Sequence, residues 1–432
     1  MPENLELELA WDFVEKTDRS IFLTGKAGTG KTTFLHSLKS NSLKRLIVVA
    51  PTGVAAINAK GVTIHSFFQM PFGPILPEVA SLQKKETSFK HKFSKIKINI
   101  IKSLDVLIID EISMVRADLL DGIDQVLRRY RDRTKVFGGL QVLMIGDLQQ
   151  LAPVVKNNEW ELLKTYYNTP YFFSSKAFIE SATVNIELKH IYRQDNQRFI
   201  KILNEIRNNN LSDDSVTELN KRYLPDFTPK QDEGYITLTT HNGRANILND
   251  KELNKLKDKT QNYKAFIQGK FQENSYPTHE KLILKKGAQV MFIKNDSNSE
   301  KRYYNGKIGK IIALNKNEIR VHCQGDLEDI MVTPETWENV NYTLNPETKE
   351  ISENSVGSFS QMPLRLAWAI TIHKSQGLTF DKAIIDANAA FAHGQTYVAL
   401  SRCRTLGGIV LKNRIATESI ITDSRVTSFN NN

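Results

Sequence analysis

Eight residues near the start of the chain, GKAGTGKT at 25–32, constrain its fold more than any other segment. They fit the pattern G-x-x-x-x-G-K-[ST], in which glycines let successive backbone N–H groups turn toward a phosphate. The flanks suit that use. An apolar run, SIFLT (20–24), precedes the loop, and a helical stretch, TTFLHSLKS (32–40), follows it. A helix starting there aims the positive end of its dipole at the loop. Lys31 then reaches the β- and γ-phosphates of a nucleotide, and Thr32 offers a hydroxyl to Mg²⁺. A strand–loop–helix unit of this kind belongs to a parallel sheet, and the chain continues accordingly. RLIVVA (45–50), VLIID (106–110) and QVLMIG (141–146) are short continuous apolar runs between helical stretches. That is the pattern of strands covered by helices on both faces.

Two of these strands end in groups suited to nucleotide hydrolysis. Asp110 fits a Mg²⁺ site, and Glu111 fits a base that orients the attacking water. The same pair could instead cap a helix. Gln150, in GDLQQLAPV (146–154), can sense the γ-phosphate, or it is an ordinary loop residue.

Residues 281–332 change character. Short alternating runs separated by turns, with Asn305–Gly306 as a strong turn signal, read as a small β-barrel. From about Arg365 the parallel pattern returns in LAWAITIH, AIIDA and GIVLKN, so the β-module lies inside a second α/β domain. The final TSFNNN reads as a frayed tail.

Composition sets broad limits. Lys plus Arg is 58 and Asp plus Glu is 48, giving a net charge of +10, which points weakly to an anionic partner. Positive charge concentrates at 84–102 and 128–135, either as solvated helix faces or as surfaces that steer nucleic acid. The two cysteines, Cys323 and Cys403, cannot form a disulfide framework or a four-ligand zinc site, which suits a reducing compartment. No run of about 18 apolar residues suggests a membrane span. The acidic start lacks the basic character of a targeting peptide.

Seven segments then occur in a telling order. They are GKAGTGKTT, APTGVAAINAKGVTIHSFF (50–68), IIDEISMV (108–115), GGLQVLMIGDLQQLAPV (138–154), LKHIYRQ (188–194), AITIHKSQGLTFDKAIID (369–386) and TYVALSRCRTLGG (396–408). With them the chain resembles the superfamily-one helicases of the 5′-to-3′ branch, and within it the Pif-type DNA helicases, relatives of the RecD subunit. DLLDGIDQVLRRYRDRTKVFGG (118–139) is similar to that family's signature segment. Lacking the long extensions of nuclear members, the chain resembles a minimal bacterial or phage form.

The resemblance implies an α/β fold: two RecA-like parallel-sheet domains of the P-loop NTPase type, with ATP between them and single-stranded DNA across their tops. Domain 1A would span 1–166, with a wedge insertion, 1B, at about 62–80. Domain 2A would comprise 167–250 and 363–432, and the β-barrel insertion, 2B, would span 251–362. Nucleotide contacts would fall to Gly28, Thr29, Gly30, Lys31, Thr32, Thr33 and Gly377, and Mg²⁺ to Thr32 and Asp110. Catalysis would rest on Lys31, Glu111, Gln150, Arg193 and Arg402, the two arginines reaching the γ-phosphate from the second domain. Arg404 is the rival to Arg402.

For DNA, the matching positions are Thr52, Gly53, His65 and Ser66 in the first domain, and Thr371, His373 and Ser375 in the second. Such groups hold phosphates without reading sequence. Phe72, in QMPFGPILP (69–77), would act in the wedge, whereas Phe67 reads as core. Lys301, Arg302, Tyr303, Tyr304 and Lys307 form either a single-strand channel or a plain exposed hairpin. The family's upstream glutamine, which reads adenine, has no counterpart: no glutamine precedes Gln69, leaving Asn4, or packing alone, to hold the base.

The implied activity is an ATP-dependent 5′-to-3′ DNA helicase that moves on single strands and unwinds duplex, forked and, in some members, G-quadruplex DNA. Its roles would lie in repair, replication and telomere maintenance. The alternative is a single-strand-stimulated translocase or remodeller without strong unwinding. The resemblance implies single-stranded DNA and junctions as partners, no membrane, a monomer or a DNA-induced dimer, and a cytoplasmic, nucleoid-associated location.

Overall fold

The structure, a computed structural model, describes residues 4–71, 73–77, 93–230, 233–296, 300, 302–344, 351–386 and 393–430. It divides into two compact units. The first comprises Met1–Arg193, Val340–Asn354 and Asp423–Asn432, and the second comprises Gln194–Asn339 and Ser355–Thr422.

The first unit is built on six parallel strands: β1 (Ile21–Gly25), β2 (Leu46–Ala50), β3 (Val62–Thr63), β4 (Val106–Ile109), β5 (Gln141–Ile145) and β6 (Val184–Leu188). Their order across the sheet is β3-β2-β4-β5-β1-β6. Side chains alternate between the two faces of each strand. Ile21, Leu23, Val48, Ile108 and Leu143 pack with Ala10, Val14, Phe34 and Leu38 of two helices on one face. Phe22, Val49, Leu107, Val142 and Met144 pack on the other, against Ile123 and Leu127. Both faces of the central strands β1, β2, β4 and β5 are therefore apolar, which is why these four read as unbroken hydrophobic runs. Because β6 pairs with β1 along its length, the chain from 167 to 193 stays with the first unit.

The helix Ala117–Tyr130 carries most of the signature segment. Its acids at 118, 121 and 124 recur every third residue, so they share one side of the helix. Each is buried and accepts backbone N–H groups from a different segment. Asp118 takes Ile75 at 2.8 Å, Asp121 takes Ala177 at 2.9 Å and Lys176 at 3.2 Å, and Asp124 takes Phe137 at 2.5 Å. Buried carboxylates require such donors. The basic residues that follow are used internally too. Arg128 pairs with Asp124 and Glu180. The Arg131 guanidinium lies 2.7–3.0 Å from the carbonyls of Ile101, Lys102 and Leu104. At these two positions the 128–135 stretch is scaffold rather than a surface for nucleic acid.

The second unit has a four-stranded parallel sheet and an antiparallel module between two of its strands. The strands in chain order are β7 (Ile236–Thr239), β8 (Gln261–Lys264), β9 (Phe266–Gly269), β10 (Lys281–Leu284), β11 (Gln289–Phe292), β12 (Ile308–Leu314), β13 (Ile319–His322), β14 (Ile330–Val332), β15 (Glu335–Leu344), β16 (Ile351–Gln361), β17 (Leu364–Leu366), β18 (Ala369–Thr371), β19 (Ala383–Asp386) and β20 (Ile409–Leu411). The parallel order is β18-β7-β19-β20. In the module, β14-β13-β12-β11-β17 form one sheet, β15-β16-β9 a second and β10-β8 a third, residues 340–344 of β15 and 351–354 of β16 falling to the first unit. Gly306 takes a positive φ of 100° in the Asn305–Gly306 turn. Tyr303 does not line a channel: it is 6% exposed and stacks on Phe292. Lys307 pairs with Asp326, and Arg302 with Glu300. Lys301 lies outside the described residues.

The C-terminus departs from the expected frayed tail. Ser424–Asn430 is a helix of the first unit. Its Val426 is fully buried, and Phe429 stacks on Phe173 at 4.4 Å, because residues three apart share a helix face. Among the described residues no helix is long and apolar enough to cross a membrane.

Arg131→Ala is expected to destabilise the protein by about 2–3 kcal/mol, the scale of leaving buried carbonyls without a charged donor. Thermal unfolding should show a midpoint lowered by several degrees. The salt dependence of single-strand binding should not change; a slope reduced by about one would make Arg131 a phosphate contact instead.

Candidate functional site

Parallel strands place all their carboxyl ends on one edge of a sheet, and in open α/β folds ligands bind there. In the first unit that edge divides into two stretches. β1, β4, β5 and β6 end in the candidate nucleotide groups, and β2 and β3 end in the candidate DNA groups.

β1 ends at Gly25, and the helix Lys31–Asn41 begins six residues later. Two of the intervening glycines are conformational requirements. Gly28 has φ +83° and Gly30 has φ +89°, and a Cβ on Gly28 would come within 2.5 Å of the Cβ of Arg193. Lys31 bends back over the loop and donates from Nζ to the carbonyls of Gly25 at 2.6 Å and Lys26 at 3.0 Å. Its ammonium is thus held at the loop's centre. Thr29 is fully buried, and its hydroxyl donates to the Lys26 carbonyl, so its side chain shapes the loop. Thr32 and Thr33 are exposed in the helix's first turn.

β4 ends in Asp110 and Glu111. Burial, and then the adjacent Glu111 carboxylate, push Asp110 up to about 7, while Lys31 pulls it the other way. A buried acid raised by a second acid is a site that a cation would complete, so the residues fit a Mg²⁺ ion. Glu111 has φ 52° and ψ 44°, a left-handed conformation uncommon for a residue with a side chain. Such strain concentrates at functional positions. Beyond β5, Gln150 is buried, and its amide donates to Asp147 at 3.2 Å. Asp147 is itself 1% exposed and also accepts the Gln149 N–H. It orients the glutamine, a part the sequence reading did not assign.

The segment after β6 crosses the phosphate loop. Tyr192 donates its N–H to the Gly28 carbonyl at 2.8 Å. Its ring lies beside Gly30, about where a Cβ there would meet it at 3.6 Å. Arg193 follows against Gly28, so it belongs to the first unit rather than reaching in from the second. The pairing of β6 with β1 is the cause. Tyr192, passed over in the sequence, presents an exposed ring beside the loop. Asn4 caps the first helix with Oδ1 and donates from Nδ2 to the Tyr192 hydroxyl at 3.1 Å. Its amide is therefore engaged with the ring that flanks the loop.

On the DNA stretch, Thr52 and Gly53 begin the helix Gly53–Asn58, with the Thr52 hydroxyl accepting the Ala55 N–H. Thr63 caps the next helix in the same way, which presents His65 and the exposed Ser66. Burial, and then Arg116, lower the His65 pKa, so its ring is neutral near pH 7. Phe67 is core, at 1% exposure, with Lys97 3.7 Å above its ring. Phe72 lies outside the described residues, as do residues 84–92 of the first basic stretch. Gly73 and Ile75, just beyond Phe72, are held by Arg116 and Asp118.

In the second unit, β18 ends at Thr371 and leads into His373–Ser375. His373 is half-buried and burial lowers its pKa, matching His65. Thr371 is 3% exposed and accepts the Lys374 N–H. Ser375 is fully buried, with its hydroxyl donating to the Ile372 carbonyl, so that hydroxyl stabilises the turn rather than facing solvent. Neighbouring β7 ends in Thr240 and His241, joined by a 2.7 Å hydrogen bond, which the sequence reading also missed. Gly377 is exposed with φ 76°.

Arg402 caps the helix Gln395–Ser401 and is 2% exposed. Its Nε donates to the Val398 carbonyl and its Nη2 to the Ser401 hydroxyl, both at 3.0 Å. Arg404 is half-exposed beside Asp381.

A family model described as PIF1-like helicase matches residues 8–217. The ATP-dependent DNA helicase Pif1 of Psychrobacter sp. is 32% identical over 456 residues, covering 92% of this chain and 66% of its own length. The Campylobacter jejuni ATP-dependent DNA helicase Pif1 is 30% identical over 421 residues, covering 93% of this chain and 89% of its own. The chain spans 66%, 58% and 61% of the first curated relatives it matches, so much of their length has no counterpart in it. The crystal structure of Bacteroides sp. Pif1 in complex with ADP-AlF4 superposes with a TM-score of 0.91 at 43% identity, covering 100% of this chain and 97% of that one. Bacteroides Pif1 bound to ssDNA superposes with a TM-score of 0.71 at 42% identity, with the same coverage. Similarity of this extent, with the Campylobacter jejuni protein covered over 89% of its length, identifies the chain as a member of the PIF1-like helicase family.

Proposed function

We propose that this chain is an ATP-driven DNA helicase that translocates 5′-to-3′ on single strands and opens duplex and forked DNA. The observation that carries the reading is the shared edge of the first sheet. A phosphate loop, an acid pair and a held glutamine follow β1, β4 and β5, and candidate phosphate-binding hydroxyls and an imidazole follow β2 and β3. Nucleotide chemistry and strand contact would thus share one sheet. Unwinding and a DNA substrate come from the relatives' names, and polarity comes from the family resemblance alone.

On this reading, Lys31 and the loop N–H groups hold the β- and γ-phosphates, and Tyr192 offers a face for the base. Asp110 and Thr32 would hold Mg²⁺, which neutralises phosphate charge when bound. Glu111 takes the proton of the attacking water, and Gln150, held by Asp147, senses the γ-phosphate. Arg193 and Arg402 neutralise charge on the transferred group. The gain and loss of contact between Arg402 and that group would drive closing and opening of domains 1A and 2A. Thr52, Gly53, His65, Ser66, Thr371 and His373 would grip phosphates alternately. The segment at 62–80 serves as wedge 1B and 251–362 as domain 2B. The protein works as a monomer, or as a dimer on DNA, at the nucleoid in the cytoplasm, in repair and replication.

Strand displacement on partial duplexes tests this directly. Duplexes with a 5′ single-stranded tail should open in ATP and Mg²⁺, and those with a 3′ tail should not. Strong ATPase stimulation by single strands without displacement would make the protein a translocase or remodeller instead.

Lys31→Ala should abolish turnover while leaving single-strand binding within a few-fold of the parent; retained turnover would refute the nucleotide site. Arg402→Ala should lower kcat by about 10³-fold or more, the effect of losing an arginine finger. Arg404→Ala should change it little. The reverse ranking would move the role to Arg404.

A further inference from the structure

Gln194 has no place in the reaction as described, yet it is only 2% exposed. It directly follows Arg193, in the segment whose Tyr192 N–H is bonded to Gly28 of the phosphate loop. Its Nε2 donates to two carbonyls, those of Ser401 and Cys403, both at 3.1 Å. These residues flank Arg402. One primary amide therefore spends both hydrogens on the two peptide groups around a candidate catalytic arginine, while its own backbone continues from the other. The same turn is held on its far side by Phe380, whose N–H donates to the Arg402 carbonyl at 2.8 Å and whose carbonyl accepts the Arg404 N–H at 3.2 Å. The backbone of Arg402 is thus held from both sides.

The geometry points to Gln194 as a positioning residue: by holding the Ser401 and Cys403 carbonyls, its side chain fixes the turn that aims Arg402. The residue type fits the task. Glutamate of the same length has no hydrogens to donate, and asparagine is one methylene short. The inference rests on the proposed role of Arg402, and its test separates the two claims.

The test compares Gln194→Met, Gln194→Glu, Arg402→Ala and the double variant Gln194→Met/Arg402→Ala. The measurements are steady-state ATP hydrolysis on saturating single-stranded DNA, binding of a fluorescent ATP analogue, and thermal unfolding. Both Gln194 variants should lose roughly 10- to 100-fold in kcat, the effect of misplacing a catalytic group by about an ångström. KM and analogue affinity should stay within about threefold. The double variant should be no slower than Arg402→Ala, because residues acting through one another are not additive. A slow Arg402→Ala beside a Gln194→Met of parental rate overturns the positioning role alone. Losses that multiply in the double variant, or failure of both Gln194 variants to fold, would assign Gln194 to packing and overturn it as well. An Arg402→Ala variant of parental rate defeats the arginine assignment itself, and the positioning role with it.

Discussion

Parallel pairing of β1 with β5 on one side and β6 on the other is the constraint on which the rest of the first unit depends. Parallel strands cannot be joined by tight turns, so each must be followed by a crossover, and every crossover starts from the same edge. That rule brings segments 25–32, 110–111, 146–150 and 189–193 together although they span most of 170 residues. The pairing also fixes register: Leu23 stands opposite Ile145 and Ile186, so the three strands end nearly level. Hydrophobic burial on both faces holds that register. A slip of one residue would send Phe22 and Leu23 to the wrong layers.

The edge itself is polar and partly buried, and the protein meets that cost locally. Thr29 stabilises the loop that carries Lys31. Asp147 holds Gln150, and Asn4 holds Tyr192. Behind the sheet, Asp118, Asp121 and Asp124 do the same for three chain segments that have no strand to pair with. The pattern is consistent: a group proposed to touch ligand is backed by a polar residue that touches only protein. Such backing limits the rotamers available to the contacting group, which is what precise placement needs.

Much of this was legible in the sequence, for identifiable reasons. Continuous apolar runs gave β1, β2, β4, β5, β18, β19 and β20, because burial on two faces leaves no polar alternation; β3, β6 and β7, short or with polar positions, were not read. The phosphate loop was legible because glycine and lysine there answer to backbone geometry and charge, which few other residues satisfy. What stayed hidden depends on long-range contact. Arg131 and Tyr303 look like surface residues in a basic or mixed stretch, and only packing shows that they face carbonyls and Phe292. Ser375 sits in a motif beside His373, yet its hydroxyl closes a turn. The C-terminal helix is short and polar, and its docking rests on Val426 and Phe429 finding an aromatic cluster some 250 positions earlier. Gln194 carries no local signal, because its partners lie more than 200 residues away.

The net charge of +10 gains a different meaning from these contacts. Part of the surplus, in Arg128 and Arg131, is neutralised or bonded inside the first unit. The proposed strand contacts are hydroxyls, backbone groups and two histidines that burial keeps neutral. Neutral donors hold a phosphate without releasing a counterion for each contact, so they bind less tightly and with less salt dependence than lysines would. For the proposed stepping along a strand, weaker contacts of this kind would be an advantage. A contact broken once per ATP cannot be worth more than the conformational change that breaks it. On that proposal, weak neutral contacts at the sheet edge would keep each release within that limit.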